Sequence, residues 1–325
     1  MTTTTLTQKA PHADAATNTF VAEARALLGD KGFTQDPERV EPWLTDWRGR
    51  YTGRALGLAS PASTDEVAGL MKLCTKHAVA VVPQGGNSGM AGGATPDTSG
   101  TGVILSLRRM DAIRSLDKDA GHVVCEAGVI LQTLHEAAEA EDLRFPLTLG
   151  GKGSATIGGL VSTNAGGTQV RRYGTMRAQV LGLEAVLADG QVFDALTVLK
   201  KDNRGFDLKQ MLLGSEGTLG IVTAATLRLL PAPRSRTTAW VGLSSVIDAR
   251  TLLREADQRL GDALEGFEIV PSHCLDSVLD HLPDARAPLA EKHAWNALIE
   301  CTSPSDDAAG LQERLETVLA SALES

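Results

Sequence analysis

The chain has 325 residues, 42% hydrophobic and 22% charged, with 33 glycines against six Phe, four Trp and two Tyr. That length predicts two domains with ample core, the hydrophobic share excludes disorder, and glycines without a G-X-Y period exclude collagen. A net charge of −9 without a Lys/Arg cluster speaks against a nucleic-acid reader, and no stretch reaches the ~18 apolar residues of a membrane span.

Residues 1–35 read as an N-terminal tail and helix. The first 20 residues are polar and Thr-rich, with no basic segment ahead of an apolar run, so no secretory signal is expected. Ser63-Thr64-Asp65-Glu66 is a capping box. It opens a helix whose apolar positions Val67, Leu70, Met71 and Cys74 follow i, i+3, i+4, i+7. A β-branched run over 79–82 follows and is expected to stop at Pro83. Strands are predicted at 103–107 and 122–127, then a helix around 131–141. Segments 183–187 and 191–194, joined by Asp189-Gly190, predict a hairpin with a type I′ turn. A strand over 220–230 closes this region.

Pro231-Ala232-Pro233-Arg234-Ser235 interrupts the pattern and marks a boundary near residue 234, with 29 of the 33 glycines before it. Beyond it the chain alternates strand and helix three times: 239–243 then 249–260, 267–270 then 272–279, and 295–300 then 311–322. That part reads as a portion of an α+β sheet. No internal repeat stands out. The four cysteines (Cys74, Cys125, Cys274, Cys301) form no C-x-x-C and read as small reduced core residues, consistent with a cytoplasmic location.

Three clusters hold 15 of the glycines. The first, 83–93, follows a strand and suits a phosphate or pyrophosphate held by backbone amides, with side-chain donors from Asn87 and Ser88. The second runs over 150–159 and on to Asn164-Ala165-Gly166-Gly167. The third is 214–222. None spells the dinucleotide fingerprint G-x-G-x-x-G, and Lys152 is followed by Gly153, so the P-loop pattern fails as well. Three such loops, each beside a strand, point to one extended, flat or phosphorylated ligand.

The segments PQGGNSGMAGG, LGGKGSATIGGLVSTNAGG, RYGTMRAQVLGLEAVLADG and KDNRGFDLKQMLLGSEGTLGIVT closely resemble the FAD domain of the D-2-hydroxyacid dehydrogenases. That group includes D-2-hydroxyglutarate dehydrogenase, the cytochrome-type D-lactate dehydrogenases and the glycolate oxidase flavoprotein subunit, within the vanillyl-alcohol oxidase / p-cresol methylhydroxylase superfamily. The resemblance implies an α+β fold: an FAD-binding domain of the p-cresol methylhydroxylase type over 36–234 and a partial substrate (cap) domain over 235–325. It implies a diphosphate held by Gly85, Gly86, Asn87, Ser88 and Gly89. The adenosine and flavin would be lined by Pro146, Gly150, Gly153, Ser154, Gly158, Gly159, Asn164, Gly167 and Ile221. Neither His nor Cys occurs in the first two clusters, so the resemblance suggests non-covalent FAD.

It further implies oxidation of a D-2-hydroxy acid, of the D-lactate, D-2-hydroxyglutarate or glycolate class, to the 2-oxo acid by hydride transfer to flavin N5. Electrons would leave to a quinone, cytochrome or flavoprotein acceptor. Such chemistry needs an Arg clamp for the carboxylate, a base for the hydroxyl proton and, in this group, a divalent metal. Relatives carry these parts in a longer C-terminal portion that this chain is expected to lack, so no metal ligand and no catalytic residue is assigned. His273, His281 and His293 lack the i, i+4 spacing of a helical metal pair. His77, His122 and His135 read as structural, as do Arg171, Arg172 and Arg177. Lys152 reads equally as a counter-charge to reduced flavin or as an exposed loop lysine. Two other readings stay open: a catalytically silent flavin-binding subunit of a larger complex, and a flavin reductase of the same fold using a nicotinamide donor.

Overall fold

The computed structural model describes residues 15–324; the Thr2–Thr5 run and most of the polar opening lie outside the described residues. The fold is α+β, as the motifs predict. A four-stranded sheet has the order Phe33–Thr34, Leu58–Ala59, Val103–Ser106, Val81–Gln84, with its last three strands parallel. Beside it stands a five-stranded antiparallel sheet in the order Ile113–Asp117, His122–Glu126, Ile221–Arg228, Val180–Val186, Val192–Ala195. A third, antiparallel sheet places Trp295–Ser303 between Ser235–Leu243 and Leu264–Pro271.

Each sheet is covered by the helices whose spacing demands it. Helices Ala15–Gly32 and Thr64–His77 bury Phe20, Ala24, Val67, Leu70 and Met71 on the first sheet. Helices Leu131–Glu139 and Ile157–Ser162 close the core of the second, with Leu134, Ile157 and Leu183 fully buried. Val246–Leu260 and Ala308–Glu324 bury Leu252, Leu260, Leu315 and Val318 on the third. The capping box forms with one change: Ser63 Oγ accepts from the Glu66 amide at 3.2 Å, but Glu66 Oε2 accepts from Ala62 N, at 2.7 Å, instead of from Ser63 N.

Three local expectations are corrected. Strand Val81–Gln84 runs through Pro83, which pairs with Leu105, because this strand is the edge of its sheet and the missing N–H faces away from the ladder. The hairpin is not type I′. Val186 pairs with Val192 and Leu187 N bonds Gln191 O, which leaves a three-residue loop in which Gly190, at φ 79°, takes the left-handed position of a bulge and Asp189 does not. The C-terminal strands also exceed their apolar cores. Arg236, Thr237 and Thr238 pair with Thr302, Cys301 and Glu300, so ladder bonding, with no alternation of its own to announce it, carries the strands outward.

Candidate functional site

The chain leaves the edge strand at Gln84 and enters the first glycine cluster directly. Gln84 is buried, and its Nε2 donates to the Trp43 and Ala94 carbonyls at 3.0 and 2.8 Å, tying the turn Glu41–Trp43 and the far end of the loop to the sheet. The loop walls a cavity of about 490 Å³ with residues from the second and third clusters and from strands 103–106 and 221–228. That volume lies within the ~300–1,000 Å³ usual for cofactor sites. Leu105, Leu107, Leu160, Ile221 and Val222 give it an apolar wall suited to a flat ring, and Glu216 is the one ionisable side chain on it among the described residues.

The three clusters contribute differently. In the first, the seven consecutive residues Gly85 through Ala91 all line the cavity, and none of their amides donates to a protein acceptor among the described residues. A run of free N–H groups beside one cavity suits an anion, because each such donor is costly until a ligand or water accepts from it. In the second cluster several amides are spent on the protein: Gly158 N bonds Ala127 O at 2.8 Å, Gly159 N the Thr156 hydroxyl, and Ser154 N and Ala155 N the Gly151 carbonyl. This cluster is wall. In the third, Glu216 N bonds Ser162 O at 2.9 Å and fastens that loop to the end of helix Ile157–Ser162.

Nine of the residues singled out by sequence line the cavity: Gly85, Gly86, Asn87, Ser88, Gly89, Gly158, Gly159, Asn164 and Ile221. Pro146, Gly150, Gly153, Ser154 and Gly167 do not. Pro146 lies on a separate space of about 250 Å³ with His135, Arg144, Gln169 and Arg236. Ser154 and Gly167 support the wall from behind, with the Ser154 carbonyl against Gly86 and Gly167 against the Thr148 carbonyl. Two side-chain roles change as well. Asn87 Nδ2 donates outward to Thr45 O at 2.9 Å, and Asn164 Oδ1 accepts from Arg177 N at 2.9 Å, so both shape loops.

The basic residues near the clusters are structural. Arg171 pairs with Asp257, Arg172 bonds Glu265 and Thr302, and Arg177 holds the Gln210 and Leu213 carbonyls. His77 pairs with Glu23. His135 Nε2 meets Leu147 O at 2.9 Å, and burial pushes its ring below the ordinary histidine value. No three His, Cys, Asp or Glu side chains are grouped to hold a metal ion among the described residues. None of the described helices is long and apolar enough to cross a membrane.

Sequence reasoning missed the loop over 45–52. Asp46, only 4% exposed, accepts from the Tyr51, Arg50 and Arg48 amides at 2.6, 2.7 and 3.2 Å, bonds that hold its carboxyl below the ordinary range. Trp47 Nε1 donates to Gly89 O at 3.1 Å. The only sequence signal was an aspartate with a glycine and an aromatic close behind it.

Residues 55–195 match the family model described as FAD binding domain. The chain is 40% identical over 319 residues to a D-2-hydroxyglutarate dehydrogenase, mitochondrial, of Arabidopsis thaliana, covering 98% of this chain and 56% of that protein. It is 42% identical over 290 residues to the Bos taurus protein of the same name, covering 89% and 53%. The chain thus spans about half the length of the curated relatives it matches. Among solved structures it is similar to p-cresol methylhydroxylase with substrate bound, at TM-score 0.77 and 18% identity, covering 94% of this chain and 64% of that one. That likeness assigns the fold. The cytoplasmic location expected from cysteine usage is overturned, since both relatives are named as mitochondrial. Scattered reduced cysteines are equally compatible with other reducing compartments.

Proposed function

We propose that this chain, whose residues 55–195 belong to the FAD-binding domain family, is the flavin-holding part of a D-2-hydroxyacid dehydrogenase. The observation that carries the reading is the row of seven residues over 85–91, their amides without a protein acceptor, lining one cavity with an apolar wall. The amides would take the diphosphate of FAD, and the wall of Leu105, Leu107, Leu160, Ile221 and Val222 would take its ring systems. No His or Cys stands on that wall, which supports attachment without a covalent bond. Residues 36–234 would form the FAD-binding part and 235–325 a portion of the substrate part, joined by the three residues between Pro231 and Ser235.

Bound FAD would supply a hydride acceptor for the substrate α-carbon. What this chain itself contributes is binding, orientation and exclusion of water around that ring. The carboxylate clamp, the base and any divalent metal of such a reaction require charged groups, and the cavity wall offers only Glu216. The substrate would be a D-2-hydroxy acid, with electrons passing on to a quinone, cytochrome or flavoprotein acceptor. The same observation favours a second reading, in which this chain alone binds flavin without turnover.

The test is a visible spectrum of the purified chain, before and after reconstitution with FAD, followed by anaerobic D-2-hydroxyglutarate, D-lactate and glycolate. A flavin spectrum is expected. A chain that stays colourless after reconstitution overturns the cofactor assignment. Bleaching by one of the acids supports the complete reaction, and a flavin band that none of them bleaches supports the second reading.

A further inference from the structure

We propose that the loop over 45–52 is a clasp on the diphosphate cradle, in which Asp46 and Trp47 are positioning residues and Arg48 supplies the positive charge the cavity wall lacks. The inference rests on the FAD reading above.

Besides its packing on Ser154 and Thr156, the cradle is held by this loop at three points. Trp47 Nε1 bonds Gly89 O, Thr45 O accepts from Asn87 Nδ2, and the Tyr51 ring lies on Gly92. The direction of these bonds matters. In a trans peptide the carbonyl and the following N–H point opposite ways. With the Gly89 carbonyl bonded to Trp47, the amide of Met90, which lines the cavity, is turned the other way. Trp47 is 57% exposed, so its contact with the cradle is a hydrogen bond and not burial of its ring.

The clasp is stiff because of Asp46. A buried carboxylate accepting three amides of the next five residues closes the loop on itself, and the Thr45–Thr52 bridge and their 3.0 Å hydroxyl contact pin its base. Loop closure alone leaves two arginines at the tip. Arg48 stacks over Trp47 with its Cζ 5.1 Å from the ring, and it pairs with no acidic side chain among the described residues. It therefore stands one indole away from the carbonyl of Gly89, a residue of the cradle. A cation so placed attracts the anion through solvent, and added salt weakens that attraction.

The experiment compares FAD and riboflavin, which has no diphosphate, in fluorescence titrations of the wild type and of Trp47→Phe, Asp46→Asn and Arg48→Gln. Trp47→Phe keeps the ring and deletes the N–H, so FAD is expected to bind about fivefold more weakly, as for one lost hydrogen bond, with riboflavin unchanged. Asp46→Asn is expected to weaken FAD by about tenfold or more. Arg48→Gln is expected to flatten the fall of FAD affinity between low and high salt. Equal losses of FAD and riboflavin in Trp47→Phe, or a wild-type salt dependence in Arg48→Gln, overturn the clasp. A wild type that binds FAD while all three variants match it overturns the clasp alone. A wild type that binds no FAD overturns the parent reading and the clasp with it.

Discussion

A Cβ on Gly86 would stand 1.7 Å from the carbonyl oxygen of Ser154. The first and second glycine clusters thus meet backbone to backbone, and Gly86 is required by a neighbour in the protein before any ligand is considered. Gly89, in the same loop, would meet nothing within 4 Å.

This contrast separates two effects that one motif conflates. Gly86→Ala is expected to destabilise the cofactor-free chain by about 1–3 kcal/mol, the usual cost of overpacking, and to lose FAD as a consequence. Gly89→Ala is expected to leave the cofactor-free melting temperature unchanged while weakening FAD, because its new methyl group intrudes only on the ligand's space. Paired thermal melts and FAD titrations check both. Equal melting losses in the two variants would remove the distinction.

The C-terminal sheet is tied to the cofactor-binding part through a buried carboxylate. Glu265, 3% exposed, accepts from Arg144 Nη1 at 2.7 Å, Arg172 Nη1 at 3.3 Å and Thr302 Oγ1 at 2.6 Å, and both guanidinium groups stack on Tyr173. Glu265→Ala strands two partly buried cations, and a loss of about 3–5 kcal/mol is expected in urea unfolding. Glu265→Gln, which keeps the acceptor oxygen, is expected to lose less.

Glu184 couples the helix cap to the second sheet and makes part of the stability depend on pH. Burial pushes its carboxyl up, but bonds from Arg114, Thr64 and Thr223 outweigh that and hold it below the ordinary value. A carboxylate whose folded value is depressed contributes its full stability above the unfolded value, about 4.3, and loses it as pH falls through the folded one. Glu184→Gln is therefore expected to be less stable than wild type at pH 7, with the gap closing in acid. Urea midpoints measured from pH 7 down to acid check the sign.

Thiol chemistry is expected at one site. Burial pushes Cys74 and Cys125 up to about 12 and Cys301 up to about 11, while Cys274 is exposed. Iodoacetamide at mildly alkaline pH is expected to label Cys274 alone in the native chain and all four in urea, as read by mass spectrometry.

Much of the fold was legible because its elements announce themselves locally. Ser63 and Glu66 mark a helix start, Asp189-Gly190 a reversal, and the apolar spacing of Val67, Leu70 and Met71 a buried face. What escaped was local structure fixed by partners. Pro83 sits in a strand because that strand is an edge, and Thr237 sits in one because Cys301 pairs with it. In the site, the clusters were found but their glycines could not be sorted. A glycine that lets a ligand approach and one that lets a carbonyl pass, as Gly167 does for Thr148, are written with the same letter.

The sequence by itself determined that three glycine-rich, side-chain-poor loops lie beside strands and that no lysine-bearing phosphate motif is present. Only the tertiary structure decided which amides remain free. In the second cluster the Ser154, Ala155, Gly158 and Gly159 amides are taken by Gly151, Ala127 and Thr156, whereas the whole run over 85–91 is left open, and Trp47, 42 residues before Gly89, bonds that carbonyl. A backbone donor carries no residue identity, so its availability depends on which acceptors the fold brings within reach.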